Sequence, residues 1–422
     1  MNSLAPHSQA FGAASPLRRA VLDGPEIVLD LSRLLSRVLH PTPTGVDRVE
    51  MAYARTLLQR APDRVRLAAT HPLGWHGRLP PQAAQDFLET TARRWSGEDH
   101  RGGSGWSRWK SALDASFRLA PLPYRSSPQA GRAIYLHLSS RGLERTELFQ
   151  AILRRERARF VPFVHDLIPL DHPEYGRPGG AALYARKMAT VTALASAVLV
   201  NSEATAERLG PYLHAAGRAI PLHVAPLAPT FTPLPAPPAA GPPYFVMVAT
   251  LEPRKNHLLL LNVWRRMIET HGADAVPRLV LVGRRGWENE NLLDMLDRCP
   301  ALQAVVVERN GLVDRQVRDL IAGARALLLP SFAEGFGLPV IEALALGTPV
   351  IASDLPALHE AGGGVTEHLD PLDGPGWMRA VLDYAAPTSP RRDAQLARMR
   401  GWRAPTWRSR IDEVLDFLAA LP

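Results

Sequence analysis

The sequence predicts an α/β protein of two Rossmann-like, doubly wound domains facing each other across a cleft. Three observations carry this expectation. The chain has 422 residues, more than one ordinary hydrophobic core organises. Apolar runs of strand length alternate with helical segments along most of it, the pattern of repeated βαβ units. A Pro/Ala stretch, "PLAPTFTPLPAPPAAGPP" at 226–243, divides the alternation into two series; its composition forbids regular structure and stiffens it as a linker.

The first domain is expected over residues 1–225. Its strand candidates are "EIVLDLS", "RVRLAAT", "RAIYLHLS", "RFVPFVHDL", "SAVLVNS" and "PLHVAPL". Most are continuously apolar rather than alternating, as strands covered on both faces are. Amphipathic helices are expected at 46–59 and 144–159. Residues 96–130 break the pattern. They are rich in Gly, Ser and Pro and carry Trp106, Arg108, Trp109 and Lys110. They read as a surface insertion or as an interfacial segment touching lipid or a lipid-linked acceptor.

The alternation restarts over 244–404 with "YFVMVAT", "PRLVLVG", "QAVVVER", "RALLLPS" and "PVIAS". Residues 405–422 then form an amphipathic helix with Trp407, Ile411, Val414, Leu415 and Leu418 on one side.

Composition bounds the function. Hydrophobic residues make up 46% and charged residues 21% of the chain, an ordinary globular balance. The formal charge is +8, yet Lys110, Lys187 and Lys255 are the only lysines. No basic run is interleaved with aromatics as a nucleic-acid platform would be. Cys299 is the single cysteine, so intrachain disulfides and Cys-rich metal sites are excluded and a reducing compartment is expected. Neither a signal peptide nor a run of roughly 20 apolar residues is evident. A cytoplasmic protein is expected.

Two stretches carry chemistry. In "RALLLPSFAEGFGLPVIEALALGTPVIAS" a strand delivers Ser331 and Phe332 to its carboxyl end, where open α/β sheets bind ligands. A loop at 333–338 follows, and Pro339 suits a helix start. Glu334 then lies in the loop and Glu342 near the first helical turn, both expected to face the cleft. Gly335 and Gly337 allow close backbone approach. Carboxylates at a helix start repel phosphate but accept hydrogen bonds from vicinal hydroxyls, so one suits a sugar ring and the other a ribose.

The second stretch, "YFVMVATLEPRKNHLLLLNVW", ends its strand near Thr250. Arg254 and Lys255 then stand before a helix whose Leu258, Leu261 and Trp264 are expected to face inward. Cations at a helix amino end oppose the dipole preference, and an anionic ligand accounts for them.

These motifs resemble glycosyltransferase family 4, the retaining GT-B enzymes. The Glu-x7-Glu signature stands as Glu334 and Glu342, the diphosphate-binding pair as Arg254 and Lys255 in "LEPRKNH", and a glycine-ended strand as "LVLVGRRGW". The likeness covers most of 244–375. In the first half "PTGVDRVE" resembles the family's glycine loop, "FVHDLIPLDHPEY" its His-Asp motif, and "SAVLVNSEATAERL" the strand and helix that follow.

The resemblance implies that Glu334 sits beside the transferred sugar, with the amides of Gly335, Phe336, Gly337 and Leu338 on sugar hydroxyls and phosphate. It implies that Glu342 holds the ribose and that Arg254 and Lys255 neutralise the leaving diphosphate. His165, beside Asp166, approaches the sugar from the first domain. Gly45 lets backbone near phosphate or acceptor, Thr250 joins the donor contacts, and residues 310–313 edge the base pocket. The resemblance implies that the first domain binds the acceptor and the second the nucleotide sugar, and the C-terminal helix is expected to return to the first domain.

No Asp-x-Asp occurs, and a divalent ion holding a diphosphate favours such clustered oxygens; transfer without a metal or other cofactor is expected. The phosphate loop and His-Asp motif resemble those of bacterial mannosyl- and rhamnosyltransferases of exopolysaccharide and O-antigen assembly. GDP-mannose is the implied donor, ahead of dTDP-rhamnose or a UDP-sugar. A polyprenyl-diphosphate-linked glycan is the implied acceptor, with peripheral contact at the cytoplasmic membrane. A nucleotide-sugar epimerase, a phosphorylase-like enzyme or a non-catalytic protein of the same fold are the alternatives.

Overall fold

The computed structural model describes residues 24–38, 40–71, 74–98, 119, 133–231 and 242–421. Most of the Trp-bearing stretch at 96–130 and of the Pro-rich stretch at 226–243 therefore lies outside the described residues.

The first sheet is built from β1 (Ile27–Asp30), β2 (Val65–Thr70), β3 (His76–Arg78), β4 (Ala133–His137), β5 (Ala158–Val164), β6 (Val198–Val200) and β7 (Leu222–Val224). Its spatial order is β3-β2-β1-β4-β5-β6-β7. All neighbours run parallel except β2 and β3, which form an antiparallel edge. The second sheet holds β8 (Tyr244–Val248), β9 (Arg278–Val282), β10 (Val306–Arg309), β11 (Leu327–Leu329), β12 (Val350–Ser353) and β13 (Glu367–Leu369). It is wholly parallel, in the order β10-β9-β8-β11-β12-β13.

Both sheets are doubly wound, and chain order reverses between β1 and β4 and again between β8 and β11. Those two reversals open crevices at the carboxyl ends of the strands, the places where such sheets bind ligands.

Continuous apolar runs form these strands because helices cover both faces. Ile27, Val28 and Leu29 are fully buried, as are Leu327, Leu328 and Leu329. In the helix His257–His271 the buried side is Leu260, Leu261, Val263, Trp264 and Met267. Leu258 is 38% exposed, contrary to expectation. Leu258 is three residues from buried Leu261 but lies at the margin of the buried face, which centres on Leu260, Trp264 and Met267.

The last helix, Trp407–Ala420, buries Ile411, Val414, Leu415 and Leu418 completely. It packs on the first-domain helix Gly45–Arg60. Arg60 grips Asp412 with a forked pair of hydrogen bonds at 2.6 and 3.0 Å, and Trp407 meets Tyr53 edge-on. The chain thus crosses back to its first domain.

The carboxyl edges of the two sheets face each other. Tyr175 stacks on Phe332 at 5.8 Å, and Trp287 donates from Nε1 to the Tyr175 carbonyl at 3.3 Å. Arg48 pairs with Asp314 across the same boundary at 2.7 Å.

Candidate active site

The loop after β11 and the loop after β8 meet beside the second crevice. After β8 the chain turns through a short 3₁₀ segment, Pro253–Lys255, and Asn256 adopts a left-handed φ of 57°. The Asn256 amide donates to the carbonyls of Pro330 and Pro371 at 3.0 and 2.9 Å. Phe332 N–H donates to the Arg254 carbonyl at 2.8 Å. The two loops are therefore fastened together by backbone and amide bonds before any charge is counted.

Their side chains then converge. Glu334 Oε1 accepts from Lys255 Nζ at 2.5 Å and from Ser331 Oγ at 2.7 Å. Its Oε2 accepts from Arg254 Nη1 at 3.2 Å. Arg254 also donates to the Ala333 carbonyl at 2.9 Å and pairs through Nε with Glu252 at 2.8 Å.

Burial would raise the Glu334 carboxyl, but Lys255 and Arg254, with hydrogen bonds from Lys255 and Ser331, hold it down at about 2. It is ionised at neutral pH. Burial and Arg254 pull Lys255 down against Glu334. The short contact to a carboxylate fixed as an anion keeps the ammonium charged.

The first domain presses directly on this loop. A Cβ on Gly335 would stand 2.1 Å from the His165 carbonyl and 2.9 Å from Asp166 Cβ, so only glycine fits. The Gly335 carbonyl accepts from Ser202 Oγ at 2.7 Å and Thr205 Oγ1 at 3.3 Å. Glu360 accepts from the N–H groups of Glu203 and Ala204 at 2.7 and 2.9 Å. A second-domain carboxylate thus covers the positive end of a first-domain helix.

His165 closes the cluster from the end of β5. Its Nε2 lies 2.8 Å from the Leu138 carbonyl; a carbonyl only accepts, so Nε2 carries the proton and Nδ1 is left as an acceptor. Burial pushes the ring down to about 4, against the Leu138 bond, so the imidazole is neutral. Burial raises Asp166, opposed by Arg254 and by the bond from Ile168 N–H.

Beyond the loop, Gly337 takes a φ of 101° and caps the helix Leu338–Ala345. Phe336 and Leu338 are buried, and the first-turn amides lack intrahelical partners by construction.

Glu342 is the fifth residue of that helix, just past its first turn. Its Oε1 accepts from the Thr230 hydroxyl; burial raises its carboxyl, and the charge of Arg48 opposes that rise. No hydrogen bond or ion pair joins it to Arg254, Lys255 or Glu334, so the two glutamates have separate partners. The sequence also places Gly45 near a ligand by close approach. The structure puts it first in the helix Gly45–Arg60, with nothing within 4 Å of a would-be Cβ. Thr250 lies just beyond β8, which ends at Val248, and its methyl would be 3.1 Å from a Cβ on Gly286. In the 310–313 segment, Val313 touches Gly97 of the first domain.

Sequence reasoning placed Ser331 at the strand's carboxyl end without a partner, and it missed Glu252 and Asn256. Asn256 had a signal, an asparagine following a cation pair at a turn. Glu252 had none, and the partner of Ser331 depends on the fold.

Two doubly wound domains whose sheets face each other at the carboxyl ends of their strands have the GT-B fold. Residues 242–384 match the family model of glycosyl transferases group 1.

Among curated relatives, serotype-specific mannosyltransferase WbdA of Escherichia coli is 38% identical over 125 residues, 29% of this chain and 14% of that protein. O-antigen chain mannosyltransferase B of Escherichia coli is 36% identical over 131 residues, 31% of this chain and 33% of that one. The matched stretches thus span a third or less of these relatives. Among solved structures, Anabaena HepE in complex with UDP and glucose superposes with a TM-score of 0.58 at 16% identity, covering 93% of this chain and 100% of that one. Sucrose-phosphate synthase from Thermosynechococcus elongatus gives 0.57 at 17% identity, covering 93% and 96%. These likenesses show the fold.

Proposed function

We propose that the protein is a retaining, metal-independent hexosyltransferase that moves mannose from GDP-mannose to a lipid-linked glycan. One observation carries the reading. Arg254, Lys255 and Glu334 converge at the carboxyl edge of the second sheet, directly against the His165–Asp166 segment of the first domain.

Glycosyl transfer develops positive charge at the anomeric carbon and negative charge on the departing diphosphate. Arg254 and Lys255 stabilise the second, and a group whose interaction strengthens with developing charge lowers the barrier. Ionised Glu334 stabilises the first. His165, neutral with its ring at about 4, brings polar contact to the sugar without a second positive charge beside the oxocarbenium-like centre. The amides of residues 335–338 bind sugar and phosphate oxygens. The two cations occupy the role a divalent ion has elsewhere; as the anomeric carbon–phosphate oxygen bond breaks, the acceptor hydroxyl attacks from the same face and passes its proton to the departing diphosphate oxygen.

Mannose, and O-antigen-like glycan as acceptor, are favoured by the relatives' names and by the phosphate-loop motif. Peripheral membrane contact fits a lipid-linked acceptor; no helix among the described residues is long and apolar enough to cross a membrane.

The test is product analysis with GDP-mannose, dTDP-rhamnose and UDP-sugars, with and without EDTA. Mannosyl transfer with the donor configuration retained, undiminished by chelator, is expected. Activity lost in EDTA and restored by magnesium or manganese overturns metal independence. No transfer from any donor overturns the enzyme reading.

A further inference from the structure

We propose that Thr230, in the stretch joining the two domains, competes with the donor's ribose for Glu342; this rests on the glycosyltransferase reading above. Donor binding then releases the linker from the second domain at that point. Glu342 is 4% exposed, and a buried carboxylate is costly unless hydrogen-bonded. The Thr230 hydroxyl donates to its Oε1, and the Thr230 N–H also bonds the carboxylate. One residue thus offers two neighbouring donors, the pair of bonds that a vicinal diol offers.

Position and chemistry assign the competing ligand. Gly337 caps the helix Leu338–Ala345, and the amides at its start bind phosphate oxygens on the same reading. Glu342 lies four residues beyond Leu338, about 6 Å further along the axis. In a nucleotide the ribose follows the diphosphate within such a distance. A carboxylate repels phosphate and receives hydroxyls, so Glu342 takes the ribose diol and not the diphosphate.

The next residue ties the same stretch to the first domain. Phe231 is 7% exposed, and the Arg48 guanidinium lies 5.1 Å from its ring centroid, within cation–π range. Arg48 belongs to the helix Gly45–Arg60 and also pairs with Asp314 at 2.7 Å. Thr230 is therefore held by the second domain and Phe231 by the first. A ribose that takes over Glu342 removes the former tie and leaves the latter.

The exchange replaces one hydroxyl donor by another of the same kind, so its balance is close and the loss of one hydrogen bond at Thr230 moves it. Because Thr230 and the ribose exclude each other, weakening the Thr230 bond strengthens ribose binding. Selectivity follows as well. A nucleotide with ribose hydroxyls makes the exchange, whereas a 2′,3′-dideoxynucleotide leaves Thr230 in place.

Thr230→Val keeps the side chain's shape and removes its hydroxyl. Calorimetry with GDP, UDP, dTDP and the 2′,3′-dideoxy forms of GDP and UDP measures the effect. The ribonucleotide that binds wild type should bind Thr230→Val about fivefold more tightly, and its dideoxy form within about twofold of wild type. In wild type, hydrogen exchange across 227–231 should quicken with the ribonucleotide and not with the dideoxy form; that measurement decides the matter if Thr230→Val does not fold. Equal changes for both forms, or no change for either, overturn the competition, as does unaltered exchange across 227–231. Binding of dTDP but of neither ribonucleotide overturns it too and leaves the glycosyltransferase reading standing. Wild type that binds none of these nucleotides overturns that reading, and the competition with it.

Discussion

Lys255 Nζ and Glu334 Oε1 are 2.5 Å apart, joining two loops separated by 79 residues. The contact fixes how cation and carboxylate divide their work. A diphosphate seeks the same ammonium that Glu334 holds, so ligand and carboxylate compete for it.

Lys255→Ala should therefore lose transfer by about a hundredfold or more, the scale of one well-aimed electrostatic donor. It should also lose most of the rise in thermal midpoint that GDP produces. Glu334→Gln should lose transfer similarly but keep a GDP-induced rise at least as large as wild type's, because a competitor for Lys255 and Arg254 is weakened. Differential scanning fluorimetry with GDP separates the two. A full GDP response in Lys255→Ala would remove that residue from the diphosphate site.

Gly335→Ala tests the boundary between the domains. Its methyl would meet the His165 carbonyl, a backbone atom, at 2.1 Å, so the domains must part by more than a side-chain adjustment allows. The clash lies between domains rather than within the second one. Transfer should fall below about a hundredth of wild type while the GDP-induced thermal shift remains. Wild-type turnover in this variant would show that the observed contact is not needed in the reaction.

The sequence displays the fold more fully than the site. Runs such as "LVLVG" and "ALLLP" are apolar at every position because both faces are covered, and this property belongs to the chain locally. The grouping of Arg254 and Lys255 is also local, and their meeting with Glu334 follows once each motif is set at a strand's carboxyl end. Glu342 shows where such reasoning stops. Its partner Thr230 lies 112 residues away, and the rotation of the helix Leu338–Ala345 about its axis depends on packing that no spacing encodes.

His257 predicts an acid sensitivity. It is 2% exposed, neither ring nitrogen is hydrogen-bonded, and burial, assisted by Lys255, pushes its pKa down to about 3 from 6.5. The unfolded chain then takes up the proton first. Stability contributed by the neutral ring is full above 6.5 and declines as pH falls toward 3. His257→Leu removes the titrating group and keeps similar volume. Its urea midpoint relative to wild type should rise between pH 7 and pH 5, by about 1 kcal/mol or more in free energy. A constant difference across that range would show that the ring is not held neutral by burial.

Glu360 predicts a change in domain closure. Its carboxylate spans the amides of Glu203 and Ala204 in the opposite domain, yet it is exposed, so screening reduces the contact to about 1 kcal/mol. Neither core depends on it. Glu360→Ala should leave the thermal midpoint unchanged and shift the domains toward separation, visible as a larger radius of gyration in solution scattering. Because His165 reaches the Glu334 loop only when the domains meet, kcat/KM should fall about fivefold, the equivalent of that energy. GDP affinity should be preserved, since the Arg254–Lys255 pair lies within one domain. An unchanged scattering profile with unchanged kcat/KM would show that Glu360 rests on the helix end without contributing to closure.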